Sequence, residues 1–276
     1  MQNIDDDHAA LFAACESGVS LCTIVGIEGS FSRRLGAQLA IFPDGRLVGS
    51  LADGCLEKQI AADVTRCGEP VIARYGRGSR LIDFRLPCGG GLDILLDPSP
   101  DRSACRETAG KLESRESCSL KLASNDLLTV REYLPQLRLR VYGEGPEIEA
   151  LATLSLASGI PFETYSSNDL ALGREPELPP ADRWTAVLLL FHDHEWENTI
   201  LRHAITGTSF YIGAQGGANA RAERISRLAA EGVVDTDIAR VRGPVGITPS
   251  SRTPRSLALS ILSEVVGEYE RLHPHG

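Results

Sequence analysis

No stretch of this chain approaches the roughly 18 consecutive apolar residues of a membrane-crossing helix. It also lacks the positive balance of a nucleic-acid binder, since its formal net charge is −9 over 276 residues. These two absences set aside a helical membrane protein and a general nucleic-acid or membrane-surface binder. The spacing Cys-x-x-Cys is missing, which sets aside a zinc ribbon and a thioredoxin-like redox site. Gly-x-Ser-x-Gly, a Walker loop and His-Glu-x-x-His are missing too, so no catalytic triad, phosphate-loop NTPase or zinc protease can be read. Lysine is scarce: three residues against 25 arginines. Genomic base composition accounts for such a bias, and so do arginines that grip an anionic ligand, because guanidinium matches phosphate geometry. The opening Met-Gln-Asn-Ile-Asp-Asp-Asp-His is acidic where a secretory signal is basic. Seven cysteines form an odd set without tight pairing and read as reduced thiols. Both features predict a cytoplasmic protein.

What is present divides near Leu134. Residues 1–134 read as a mixed α+β domain. A helix is expected at 8–17, a buried strand at 19–27, and a hairpin from 37–42 and 47–49 around Pro43-Asp44-Gly45. Leu56, Ile60 and Val64, four apart, predict a helix over 55–66. Further strands are expected at 70–75, 81–85, 92–97 and 117–123, with a polar linker bearing a short helix at about 98–116. Residues 135–276 alternate between strands (137–142, 160–165, 186–191, 209–212) and helices (146–158, 195–206, 217–231, and one opening at Thr253-Pro254). Strands apolar on both faces, each followed by a helix, predict a Rossmann-like, doubly wound parallel sheet. The fold class is therefore α/β, a mixed α+β domain followed by a Rossmann-like one.

Two cysteines sit in glycine clusters, Cys55 beside Gly54 and Cys88 before Gly89-Gly90-Gly91. Glycines let a backbone approach a ligand and turn its amides outward, and three in a row can form an anion nest. Cys55 opens a helix, where the partial positive charge favours a thiolate. Such a pair suits an anionic ligand carrying soft sulfur or a metal, and small buried side chains are the alternative. Cys15, Cys22, Cys67, Cys105 and Cys118 fall in helices or strands and read as packing residues. Arg33 and Arg34 lie between Gly29-Ser30 and Gly36-Ala37, either as anion contacts or as solvated surface.

In the second half, Gly143-x-Gly145 follows a strand and opens a helix, the geometry in which a pyrophosphate meets a helix N-terminus. Ile148 stands at the third glycine position, and the second strand ends in Thr164-Tyr165-Ser166-Ser167-Asn168 rather than at a ribose-binding acid. His192-Asp193-His194 and Gly213-Ala214-Gln215-Gly216-Gly217 fall at the carboxyl edge of the sheet. The first can reach a metal or cap a helix; the second can cradle a phosphate or simply turn the chain.

Taken together these motifs resemble the XdhC/CoxI family, maturation factors of molybdenum hydroxylases such as xanthine dehydrogenase. The likeness rests on Gly29-Ser30-Phe31-Ser32-Arg33-Arg34-Leu35-Gly36-Ala37, Asp53-Gly54-Cys55-Leu56-Glu57 and Cys88-Gly89-Gly90. It continues through Gly143–Gly145, His192–His194, Tyr211-Ile212-Gly213, Pro244-Val245-Gly246 and Thr253-Pro254. Ser32 and Asp53 depart from the family pattern, which has proline and glycine there; a carboxylate at 53 would repel an anion beside Cys55.

The resemblance implies a molybdenum-cofactor (molybdopterin) chaperone rather than an enzyme. It implies Cys55 and Cys88 near the metal-dithiolene end, and Arg33, Gly54, Gly89 and Gly90 near the phosphate. Gly143, Gly145, Gly213 and Gly216 join them as candidate cofactor contacts. The implied partners are a hydroxylase apoenzyme and a cysteine desulfurase, with a homodimer as the expected state. Two other functions fit the sequence: an NAD(P)-dependent oxidoreductase using His192 or His194 as acid–base, and a ligand-free docking scaffold.

Overall fold

The computed structural model describes residues 6–52, 54–79, 89–248 and 251–273, without the side chains of 6, 7 and 194. Residues Gln2–Pro135 form one compact unit and Gln136–Leu272 another. The first comprises α1 (Asp6–Ala14), β1 (Ser20–Glu28), β2 (Gln38–Ile41), β3 (Leu47–Gly49), α2 (Gly54–Val64), β4 (Val71–Gly76), β5 (Gly91–Asp97), α3 (Arg102–Glu113), β6 (Cys118–Lys121) and β7 (Val130–Tyr133). The strand expected at 81–85 lies outside the described residues.

The main sheet of this unit has the order β3-β2-β1-β5-β4, antiparallel throughout. Both of its faces are covered, which is why β1 reads as a continuous apolar run instead of alternating. Leu21, Val25, Ala40 and Leu95 face α1 and α3, while Cys22, Ile24, Leu39 and Ile94 face Leu56, Ile60 and Val64 of α2. A buried polar chain crosses one layer: the Tyr133 hydroxyl donates to Gln38 Oε1 at 2.6 Å, and Gln38 Nε2 donates to Thr23 Oγ1 at 3.1 Å.

Residues 98–116, expected as a linker, carry α3, which packs into the first core through Cys105 and Leu112. Its start is fixed by Asp101, whose Oδ1 accepts from Ser103 N (2.9 Å) and Ala104 N (3.1 Å). Asp101→Ala should lower the unfolding free energy by about 1 kcal/mol, the usual worth of such a cap, in a denaturant titration.

The second unit comprises β8 (Arg138–Gly143), α4 (Pro146–Ala157), β9 (Phe162–Tyr165), β10 (Thr185–Leu190), α5 (Glu197–Thr206), β11 (Tyr211–Ala214), α6 (Ala218–Ala230), α7 (Asp235–Ile238), β12 (Val241–Arg242) and α8 (Pro254–Glu270). Its five strands are all parallel, in the order β12-β11-β10-β8-β9. Every residue of β10 is buried, as befits the central strand of a covered parallel sheet. Val187, Leu189, Ile212 and Ala214 form a core with Ile200 and Leu201 of α5 and Leu228 of α6, while α4 and α8 pack on one another. The strand order reverses between β8 and β10, so the crevice beyond their carboxyl ends is the ligand position characteristic of open α/β sheets. β7, α7 and β12 were not expected from the sequence.

Candidate functional site

Antiparallel pairing brings the three motif loops of the first unit to one end of its sheet. Glu28 at the end of β1 pairs with Gly91 at the start of β5, and Gly91 pairs with Gly76 at the end of β4. Gly49 at the end of β3 pairs with Leu39 near the start of β2. The loop 29–37, the loop leading into α2 and the approach to β5 therefore share an edge. A Cβ placed on Gly29 would lie 3.5 Å from the Gly90 Cα, so two of these loops touch backbone to backbone. Gly29 and Gly89 have φ of +85° and +67°, the left-handed region that favours glycine. A Cβ on Gly54 or Gly89 would meet no atom of the described residues within 4 Å, so both positions are open. Cys88 and Asp53 lie outside the described residues.

Cys55 is the second residue of α2, a free and solvent-exposed thiol. The other described cysteines behave as packing residues. Burial pushes the Cys22 thiol far up, raises that of Cys105 to about 12 and Cys118 to about 11, and raises Cys15 as well. Such groups stay protonated and unreactive at neutral pH.

Arg33 reaches across to the loop leading into α2. Its Nε and Nη2 donate to Ser50 Oγ at 3.3 and 3.0 Å, and its Nη1 donates to the Ser32 carbonyl at 3.3 Å. Ser50 in turn faces Glu57 Oε1 at 3.3 Å. That carboxylate oxygen also accepts from Leu51 N (2.9 Å) and Ala52 N (3.2 Å). The carboxylate thus folds the loop onto the first turn of α2. Neither Ser50 nor Glu57 was singled out for a role from the sequence; only the place of Glu57 two residues after Cys55 hints at one.

At the other side of this edge Arg74 acts as a clamp. Its Nη1 meets Asp93 Oδ2 at 2.7 Å, its Nη2 meets Glu28, and its Nε donates to the Arg77 carbonyl at 2.9 Å. A Cβ on Gly91 would fall 2.3 Å from Arg74 Nη2, so this glycine is required by the clamp.

In the second unit the glycines serve mainly the sheet. A Cβ on Gly143 would meet the Leu190 carbonyl carbon at 2.7 Å, and one on Gly213 would meet the Tyr211 ring at 2.5 Å and Val245 at 2.6 Å. Gly213 is buried inside β11, and close packing accounts for it without a ligand. Gly145 (φ +112°) stands beside Glu147, and a Cβ there would lie 3.9 Å from His192 Nε2. Gly216 (φ +118°) lies in the turn between β11 and α6.

Glutamates cluster in sequence around the start of α4, which follows β8 at the switch point. Glu147 and Glu149 occupy the first turn of α4, and Glu144 Oε1 accepts from Ser167 N at 2.8 Å. His192 is exposed, with Nε2 3.8 Å from Glu147 Oε1. Asp193 Oδ1 accepts from Glu195 N at 3.0 Å and so caps the 3-10 turn before α5. Among the described residues no three His, Cys, Asp or Glu side chains gather closely enough to hold a metal ion. No described helix is long and apolar enough to cross a membrane.

Residues 139–265 match the XdhC Rossmann domain, and residues 14–76 match the XdhC and CoxI family. The molybdenum cofactor insertion chaperone PaoD of Escherichia coli (strain K12) is 32% identical over 98% of this chain and 91% of its own length. A probable xanthine dehydrogenase subunit of Bacillus subtilis (strain 168) is 21% identical over 91% of this chain and 93% of its own. A crystal structure of a xanthine dehydrogenase from Bacillus halodurans superposes with a TM-score of 0.71 at 19% identity, covering 97% of this chain and 96% of that one. The last shares the fold.

Proposed function

Because this chain belongs to the XdhC and CoxI family, we propose that it is a molybdenum-cofactor chaperone. In this reading it binds the cofactor, shields it from oxidation and supports its sulfuration by a cysteine desulfurase. It then delivers the cofactor to a xanthine dehydrogenase-type apoenzyme. The observation that carries the reading is the meeting of three motif loops at one sheet end. There an exposed thiol, open glycines and an arginine hydrogen-bonded to neutral oxygens share one edge.

That set matches the cargo's chemistry. A molybdenum dithiolene is soft and takes a thiolate, while a phosphate takes guanidinium and backbone amides. Cys55 and Cys88 would face the metal end. Arg33 and the amides around Gly54, Gly89 and Gly90 would face the phosphate. The second unit offers a dinucleotide a poorer seat, because the first turn of α4 already carries the negative charges of Glu147 and Glu149, which oppose a pyrophosphate at that N-terminus.

The test is maturation of a client. A xanthine dehydrogenase-type hydroxylase is produced with and without this chain in cells that make molybdopterin, and activity is measured per mole of hydroxylase. The chain should raise the active fraction severalfold. An unchanged active fraction, with the chain present and folded, would count against the reading.

A further inference from the structure

We propose that Ser50 is a positioning residue that couples Arg33 to the start of the Cys55 helix. The Ser50 hydroxyl receives two N–H groups from the Arg33 guanidinium, at 3.3 and 3.0 Å. Its single proton is then left for Glu57 Oε1 at 3.3 Å or the Ala52 carbonyl at 3.4 Å. The hydrogen bonds run from the cation through the hydroxyl to an acceptor at the approach to α2, the Glu57 carboxylate or the Ala52 carbonyl. Glu57 is held in its turn by the Leu51 and Ala52 amides, so the anchor is built into the backbone that leads to Cys55.

Two features make this a device rather than a surface contact. Arg33 is exposed and has several rotatable bonds, so without a partner it samples many positions. The partner it has is neutral, which fixes the guanidinium while leaving its charge available to an anion; a direct pair with Glu57 would cancel it. Ser50 is half-buried and packs no core, so its hydroxyl can be removed without opening a cavity.

The proposal rests on the chaperone reading only for the identity of the anion, and its test needs no cofactor. The full chain is alkylated with iodoacetate, which is anionic, or with iodoacetamide, which is neutral, and the Cys55 peptide is followed by mass spectrometry. A positioned Arg33 speeds the anionic reagent selectively. The ratio of the two rates should fall about threefold in Arg33→Ala and equally in Ser50→Ala, the modest scale of a single cation acting on an anionic reagent through water. Taking the ratio cancels any change in Cys55 reactivity common to both reagents; the unfolding midpoint of Ser50→Ala should stay at the wild-type value, and Ser50→Thr, which keeps the hydroxyl, should restore the ratio. A wild-type ratio in Ser50→Ala would overturn the proposal, whether or not Arg33→Ala lowers it. Failure of the wild-type chain to bind molybdopterin would count against the chaperone reading alone, since the alkylation ratio is read without it.

Discussion

Cys55→Ser should reduce the active hydroxylase recovered from co-expressing cells by about tenfold or more, because a hydroxyl at neutral pH is neither a soft ligand nor an anion. The chain itself should be unaffected. Cys55 is exposed on the first turn of α2, whose buried face consists of Leu56, Ile60 and Val64. No core contact is lost, so the unfolding midpoint should match the wild type. Cys118→Ser is the control: that thiol is held protonated by burial and lies on β6, in none of the three motif loops, so client activity should persist. Equal losses in both variants would mean that the effect comes from folding and not from the site.

The second large effect lies in the core of the other unit. Glu197→Ala should lower the stability of that unit by about 3–5 kcal/mol, the cost of leaving one partner of a buried ion pair behind. Both side chains are nearly inaccessible, at 4% for Arg224 and 5% for Glu197. Arg224 Nε meets Glu197 Oε2 at 2.9 Å, and Nη2 meets Oε1 at 3.0 Å. Nη2 also donates to the Gln215 carbonyl at 2.8 Å, which ties α6 to the turn after β11. Removing the carboxylate leaves a guanidinium with far too few acceptors.

The paired replacement Glu197→Leu with Arg224→Met should recover most of the loss, since two well-packed apolar residues of similar volume replace such pairs at little cost. Calorimetry of the wild type, Glu197→Leu, Arg224→Met and the double variant decides the matter. If the double variant is as unstable as the sum of the singles, the pair is not one energetic unit.

The Rossmann-like architecture was legible because its strands are apolar on both faces. Thr185–Leu190 has no exposed residue, and a run of that kind has few other places to go. The β6–β7 hairpin was only half legible, because its burial opposes its hydropathy. In β7 the outer position is Val130, and Arg131 is buried, its guanidinium 4.7 Å from the Tyr133 ring. No periodicity of apolar residues announces a strand whose arginine faces inward.

Glycine carries two meanings in this chain. It singled out Cys55 and Gly54 at the start of a helix, and both are exposed there. In β11 the same residue type suggested a phosphate cradle at Gly213, yet the Tyr211 ring and Val245 already fill the space a side chain would need. A glycine that meets a ligand and one that meets a neighbouring ring look alike in a sequence. The Ser50–Glu57 relay was invisible for a related reason: its hydrogen bonds join residues 33, 50 and 57, and neither serine nor glutamate is rare enough to mark the spot.

The central claim is that this chain carries molybdopterin. The direct measurement is to purify it from cells that make the cofactor, oxidise the sample and quantify the fluorescent pterin released per mole of chain. The account predicts near-stoichiometric pterin in the wild type and a large loss in Cys55→Ser. Absence of pterin from well-folded wild-type protein, in cells whose hydroxylases are fully loaded, would contradict it.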